Sequence, residues 1–384
     1  MDFAFNDDQA NLRDLATRIF TDASNEESQR SREDRQGPWD QCLWKTLGEA
    51  GLLGLAVPHA HGGLGLGFMD LAILLEEQGR TLAQVPVHAS LVTGGLALAR
   101  FGSPEQQLLL EGVASGEVIL TAALEEGGNP DPASPMLEAT PIGGGWSLYG
   151  VKTAVPYGKQ ANRIIVPARA GSGPGADIIV FLLDPASAGV TLTRQESTSA
   201  EPQAELRLDQ VFVTDGDILG QREQGQFIAN WILDRARTGL AAIQLGICAE
   251  ALRRTAAYSS ERVQFGRPLG SMQAVQHRIA DGFIDVEAMR STMLRAAWLL
   301  DEEWPSAGEV ETAKYWAALG GHRVSHSAQH LHGGIGADID YPIHRYFLAA
   351  KQVEQSLGGA QPMLAAIGRE IASGNAALLA GERA

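Results

Sequence analysis

The stretch RVQFGRPLGSMQ, residues 262–273, carries more chemistry than a surface loop needs. A guanidinium at Arg262 is followed by the aromatic–glycine corner Phe265–Gly266, a proline, and the amide of Gln273 eleven positions after the arginine. Two other stretches are as dense. In LHGGIGADIDYPIHRYF (331–347), Gly333, Gly334 and Gly336 let a backbone approach a ligand closely. In LDRAR (233–237), Asp234 and Arg237 stand three apart, on one face of a helix. Taken singly, each is more often structural. The commoner catalytic signatures are absent: there is no GxGxxG between a strand and a helix, no GxSxG and no HExxH. HAHGGLGLG is glycine-rich but lies between helices and reads as a loop. His332 has no Cys, Ser or acid placed to orient it and reads as a packing or loop residue.

Three regions must position these residues. In 1–118, Leu12, Leu15, Ile19 and Phe20 fall at helical spacing, and LWKTLGEAGLLGLAVP repeats the pattern up to Pro58. A further helix is expected over about 69–81, and Ser103 with Pro104 opens another. From 119 to 222 the texture changes to short β-branched runs separated by Gly, Pro, Ser and Asp, an antiparallel sandwich or barrel. From 223 to 384 four long helices follow, the first of roughly 37 residues and the last spanning IHRYF to REIAS, which together make a four-helix bundle. The expected class is α+β, in the order all-α, β, all-α.

Net charge is −16 and the sequence pI about 5.0, which disfavours nucleic acid and anionic lipid surfaces. An anionic ligand therefore needs a local cluster of arginines or helix N-termini. The two cysteines, Cys42 and Cys248, belong to no metal-binding pattern, so no metal is expected. No apolar leader and no run of about 18 apolar residues occurs, and the expected address is the cytoplasm, with no membrane span.

In this order, the three stretches and the α–β–α arrangement resemble the acyl-CoA dehydrogenase family over essentially the whole chain, including MDFAF…LRDLATRIF and LGEAGLLGLAVPHAHGGLGLG. The resemblance implies an FAD-dependent reaction. A carboxylate removes the proton α to an acyl-CoA thioester while hydride leaves the β-carbon for the flavin. It also implies an FAD shared across a subunit interface, and electron-transfer flavoprotein as acceptor. Arg262, Phe265, Gly266 and Gln273 match the segment a neighbouring subunit donates to the pyrophosphate and adenine end. Gly333 and Gly334 match the glycine turn, with His330 where the family usually has Gln. Asp234 and Arg237 match positions that contact the acyl-CoA.

The half that lines the flavin ring departs from the family. Leu124 stands in the Thr place and Glu126 in the Pro place of the flavin-flanking strand. Anchored on Gly150, Lys152, Ala161 and Asn162, the three flavin positions are Ala154, Val155 and Pro156. Pro156 has no N–H to donate, and Ala154 offers little surface to a ring. The family's usual base position is Leu357 and its alternative Ala236. Asp234 lies about 200° round the helix from Ala236. Glu354, about 4.5 Å along a continuous helix from Leu357, is the substitute candidate. Two readings follow. The chain is a subunit without its own catalytic Glu, completing a partner's FAD site in a heterotetramer like the steroid-type enzymes. Alternatively, it is a self-sufficient homo-oligomeric dehydrogenase using Glu354. A flavin monooxygenase of the same fold is a third possibility.

Overall fold

The computed structural model describes residues 5–24, 39–171 and 176–373; the first four residues of the MDFAF motif lie outside them. In chain order the helices are α1 (Asp7–Ala23), α2 (Gln41–Glu49), α3 (Phe68–Thr81), α4 (Leu96–Phe101), α5 (Pro104–Gln107) and α6 (Leu109–Ser115). After the sheet come α7 (Gly225–Glu261), α8 (Gln273–Asp301), α9 (Ala307–His332), α10 (Ile343–Gln355) and α11 (Ala360–Ala372). A π-helical turn, His88–Gly95, precedes α4 and has no periodic signature in the sequence because all but one of its residues are buried. Helix starts follow capping chemistry. Asn6 and Gln9 form a reciprocal box before α1, and Ser103 and Gln106 another before α5, with Pro104 at the first position.

Packing divides the chain into two units. One comprises Arg35–Leu71 and Gln84–Ala236 and contains the sheet. Its strands are β1 (Leu120–Ala122), β2 (Glu138–Ile142), β3 (Gly145–Pro156), β4 (Arg163–Ala170), β5 (Asp177–Leu183), β6 (Val190–Gln195) and β7 (Gln203–Thr214). β2, β3, β7 and β6 pair in that order, and β4 pairs with β1, β2 and β5. The sheet is antiparallel except where β1 and β2 each run parallel to β4. The sequence does not announce β2, because only Ala139 of its five residues is buried. Elsewhere period-two alternation builds the core: Trp146 and Leu148 on β3, Ile179, Phe181 and Leu183 on β5, Leu206 and Leu208 on β7. Each such side chain stabilises by about 1.5–3 kcal/mol when fully buried.

The other unit comprises Met1–Asp34, Ala72–Ala83 and Arg237–Ala384. Within it α3 and α7 cross in near backbone contact, since a Cβ on Gly79 would collide with the Ile243 carbonyl and one on Gly246 with that of Glu76. The single last helix expected from the sequence is two helices. The break at 356–359 has a physical cause: Leu357 (φ 53°) and Gly358 (φ 105°) are both left-handed. The C-terminal region thus has three long helices and two shorter ones. No described helix is long and apolar enough to cross a membrane, and no described group of three or more His, Cys, Asp or Glu is placed to hold a metal.

Candidate functional site

Arg262 leaves the last turn of α7, its N–H donating to the Tyr258 carbonyl at 2.8 Å. The chain then forms a tight hairpin pairing Val263 with Pro268 and Gln264 with Arg267. The turn needs left-handed backbone at Phe265 (φ 54°) and Gly266 (φ 75°), which thrusts the Phe265 ring out to 87% exposure. Leu269 N–H closes the base of the hairpin on the Arg262 carbonyl at 2.9 Å. Gln273 then opens α8, whose N-cap residue Met272 supplies no side-chain cap. Arg262 and Gln273 are exposed, and among the described residues the Arg262 guanidinium has no ion pair.

The glycine turn terminates α9. Gly333 takes φ 62° and ψ −137°, a conformation for glycine alone, and its N–H donates to the His330 carbonyl. A Cβ at Gly333 or Gly334 would meet nothing within 4 Å, so the main chain here is open to approach. His330 is exposed. His332 is buried, its Nδ1 donating to the Ala328 carbonyl at 2.8 Å; burial lowers its proton affinity more than that bond restores it. Its ring stacks on Tyr258 with centroids 4.4 Å apart. The structure therefore brings the arginine hairpin and the glycine turn together through the residues that precede each. FAD, the cofactor the resemblance implies, fits this set: a guanidinium, an amide, an imidazole and bare main chain, all facing outward.

The positions that the resemblance would place against the flavin ring do not fit it. Val155 is fully buried in the sheet core and Leu124 nearly so. Ala154 sits in a bulge of β3 with φ 51°, its N–H taken by Gln195 Oε1 at 2.8 Å. The Pro156 carbonyl accepts from Thr121 Oγ1 at 2.7 Å. Glu126 is part of a buried network that sequence reasoning missed. Its Oε1 lies 2.7 Å from Lys152 Nζ, with side chains 2% and 0% exposed. The carboxylate also accepts from Met136 N at 2.6 Å, Leu137 N at 2.9 Å and Asn129 Nδ2 at 3.1 Å. Burial pushes the Glu126 carboxyl up, but the Lys152 ammonium and the two backbone amides outweigh it and hold it below the usual range. The signal was available: alternation from Trp146 and Leu148 places Lys152 on the same inward face.

Neither expected base position carries a carboxylate. The Ala236 carbonyl accepts from His88 Nε2 at 2.9 Å. Burial takes His88 down to about 4, against the lift of that bond, so it is neutral at pH 7 and its Nε2 bears the proton. Asp234 and Arg237 are half-buried on α7, and Arg237 Nε donates to the Leu357 carbonyl at 3.2 Å. Leu357 itself is 7% exposed. The helical relation expected between Glu354 and Leu357 is corrected here, because α10 ends at Gln355 and Leu357 lies in the left-handed turn beyond it. Glu354 is engaged elsewhere: its Oε2 accepts from Lys351 Nζ at 2.6 Å and lies 3.3 Å from His322 Nδ1. Lys314 Nζ fixes the end of α10 by donating to the carbonyls of Val353 at 2.9 Å and Glu354 at 3.2 Å.

A helical region, a central sheet and a second helical region carrying these motifs define a flavoprotein oxidoreductase of one family, and the chain belongs to the acyl-CoA dehydrogenases. The family's N-terminal domain matches residues 6–117 and its C-terminal domain residues 223–372. The chain is 39% identical to acyl-CoA dehydrogenase FadE27 of Mycobacterium tuberculosis in an alignment of 381 residues that covers 97% of this chain and 99% of that one. Among solved structures it is similar to a chain of a variant of the Tcur3481–Tcur3483 steroid ACAD, with 44% identity, TM-score 0.89, and 96% and 99% of the two chains covered. It is also similar to a chain of the ChsE4–ChsE5 complex from Mycobacterium tuberculosis, with 40% identity, TM-score 0.90, and 97% and 99% covered.

Proposed function

We propose that this chain is a subunit of a heteromeric acyl-CoA dehydrogenase that completes the FAD site of a partner chain and leaves proton abstraction to that partner. The observation that carries the reading is an asymmetry. The donor set at 262–273 and 330–334 faces outward, whereas the ring-facing positions are filled by core packing and main-chain bonds. The chemistry FAD supplies when bound is acceptance of hydride. Arg262 would hold the pyrophosphate as a two-pronged donor, and the open main chain at Gly333 and Gly334 would admit the dinucleotide. Gln273, His330 and Phe265 would flank it. Asp234 and Arg237 keep their family role toward acyl-CoA, with Arg237 also fixing the turn at Leu357. Alanine and leucine at the two base positions cannot take a proton. The likeness to a chain of the ChsE4–ChsE5 complex supports a heteromeric assembly, for which a hetero-tetramer is proposed; electron-transfer flavoprotein is the acceptor proposed for the assembly.

The test is an absorbance scan of the chain purified alone and after co-expression with a second acyl-CoA dehydrogenase chain that carries a Glu at either base position. The isolated chain is expected to be colourless and the co-purified complex yellow. About one FAD per chain in the isolated protein, with turnover of an acyl-CoA, would overturn the reading.

A further inference from the structure

We propose that Tyr258 and His332 are positioning residues: their ring stack clasps the arginine hairpin and the Gly333–Gly334 turn into one fixed relation. The inference rests on the reading that both segments hold FAD. Each segment by itself is a helix end with an exposed turn, and such ends open locally and independently. Tyr258 lies in the last turn of α7, and its carbonyl accepts from Arg262 N, the first residue of the hairpin, at 2.8 Å. Its ring lies on His332 at 4.4 Å with 23° between planes, and its hydroxyl reaches the His332 carbonyl at 3.5 Å. His332 is the residue immediately before the glycine turn, and its own ring is fixed by Nδ1 donating to Ala328 at 2.8 Å. Tyr341 adds a third ring, 5.3 Å from His332 and 6.4 Å from Tyr258. One residue thus bonds the start of one segment through its main chain while its ring covers the start of the other.

The physical gain is preorganisation. A dinucleotide held at both segments would otherwise have to order each of them on binding. A neutral imidazole suits the position, since a stacked ring 3% exposed would be costly to charge. The glycines beyond it supply the open main chain, and the clasp supplies the fixed spacing.

Hydrogen exchange on the full chain, with FAD affinity of the complex formed with its partner chain, tests the proposal. Tyr258→Leu should speed exchange of the amides at 263–267 and at 333–336 together by about tenfold and weaken FAD by a similar factor. Tyr258→Phe keeps the stack and should stay within about twofold of wild type on both readouts. Unchanged exchange in either segment, or FAD affinity within about twofold for the ring-removing variant, overturns the proposal. If Tyr258→Leu does not fold, His332→Asn, which can keep the bond to Ala328 without the ring, carries the same readouts. Failure of both variants to fold assigns the pair a purely structural role and also overturns it. Arg262→Ala separates the two ideas. If it weakens FAD while Tyr258→Leu does not, the clasp fails and the FAD reading stands. If Tyr258→Leu loosens both segments while Arg262→Ala leaves FAD affinity intact, the FAD reading is the one that fails.

Discussion

Replacing Glu126 by Gln keeps the shape of the side chain and removes its charge. The pair it forms with Lys152 is 2.7 Å long and almost wholly out of water, with side chains 2% and 0% exposed. Solvent screening therefore gives little relief, and an ammonium left without its counter-charge costs about 3–5 kcal/mol. The carboxylate also receives Met136 N and Leu137 N, one on each oxygen. An amide has one oxygen, so one of these N–H groups loses its acceptor, at about 1–3 kcal/mol more. Lys152→Met should cost less, because the carboxylate keeps its two amides and Asn129. Adding Lys152→Met to Glu126→Gln should then recover at least about 2 kcal/mol of the single-variant loss. The assay is chemical denaturation of all four chains, read by tryptophan fluorescence. Strict additivity of the two single losses would refute the reasoning, since it would mean that the charges do not interact. The pH dependence has a definite sign. A carboxyl held below its ordinary value contributes stability that is fully present above the unfolded pKa and lost as pH falls through the folded one. Glu126→Gln should remove that acidic limb of the stability profile.

Arg262→Ala should weaken FAD retention in the assembled complex by about 1.5–3 kcal/mol, the range of a charge-assisted pair, while leaving the isolated chain's stability unchanged; unaltered flavin occupancy would make the hairpin merely structural. Glu354→Gln should leave turnover of the complex near wild type, because the carboxylate is held by Lys351 and His322. A fall of about 10²-fold or more in turnover would instead identify Glu354 as the base. Leu357→Glu should yield no acyl-CoA oxidation by the isolated chain, since the ring-facing wall stays closed; measurable dehydrogenation by that variant alone would sink the partner-subunit reading.

The helices with strong apolar periodicity, the β runs and the 37-residue α7 were legible in the sequence, because each depends on local pattern and burial. The strand β2 was not, since a five-residue strand with one buried side chain leaves no alternation to read. The break of the last helix was half legible. Gly358 and Gly359 marked a weak point, but the left-handed turn at Leu357 is stabilised by Arg237, 120 residues away in sequence. The outward-facing donors were legible as a motif. The buried Glu126–Lys152 pair needed pairing of distant segments, although the inward face of Lys152 could be read from β3 alone. The Tyr258–His332 stack joins side chains 74 positions apart, and no local pattern signals it.

The turn at 356–359 has a genetic consequence. Lys314 addresses the main-chain carbonyls of Val353 and Glu354, and Arg237 that of Leu357. A carbonyl is the same whichever side chain its residue bears. Those bonds therefore hold the turn in place without regard to which residue occupies 357, and through them folding exerts no selection for a carboxylate there. Only the demand for a proton acceptor could have kept one. On the partner-subunit reading proposed above, a second gene that meets that demand would leave position 357 free to drift to a packing residue while the backbone around it stays put.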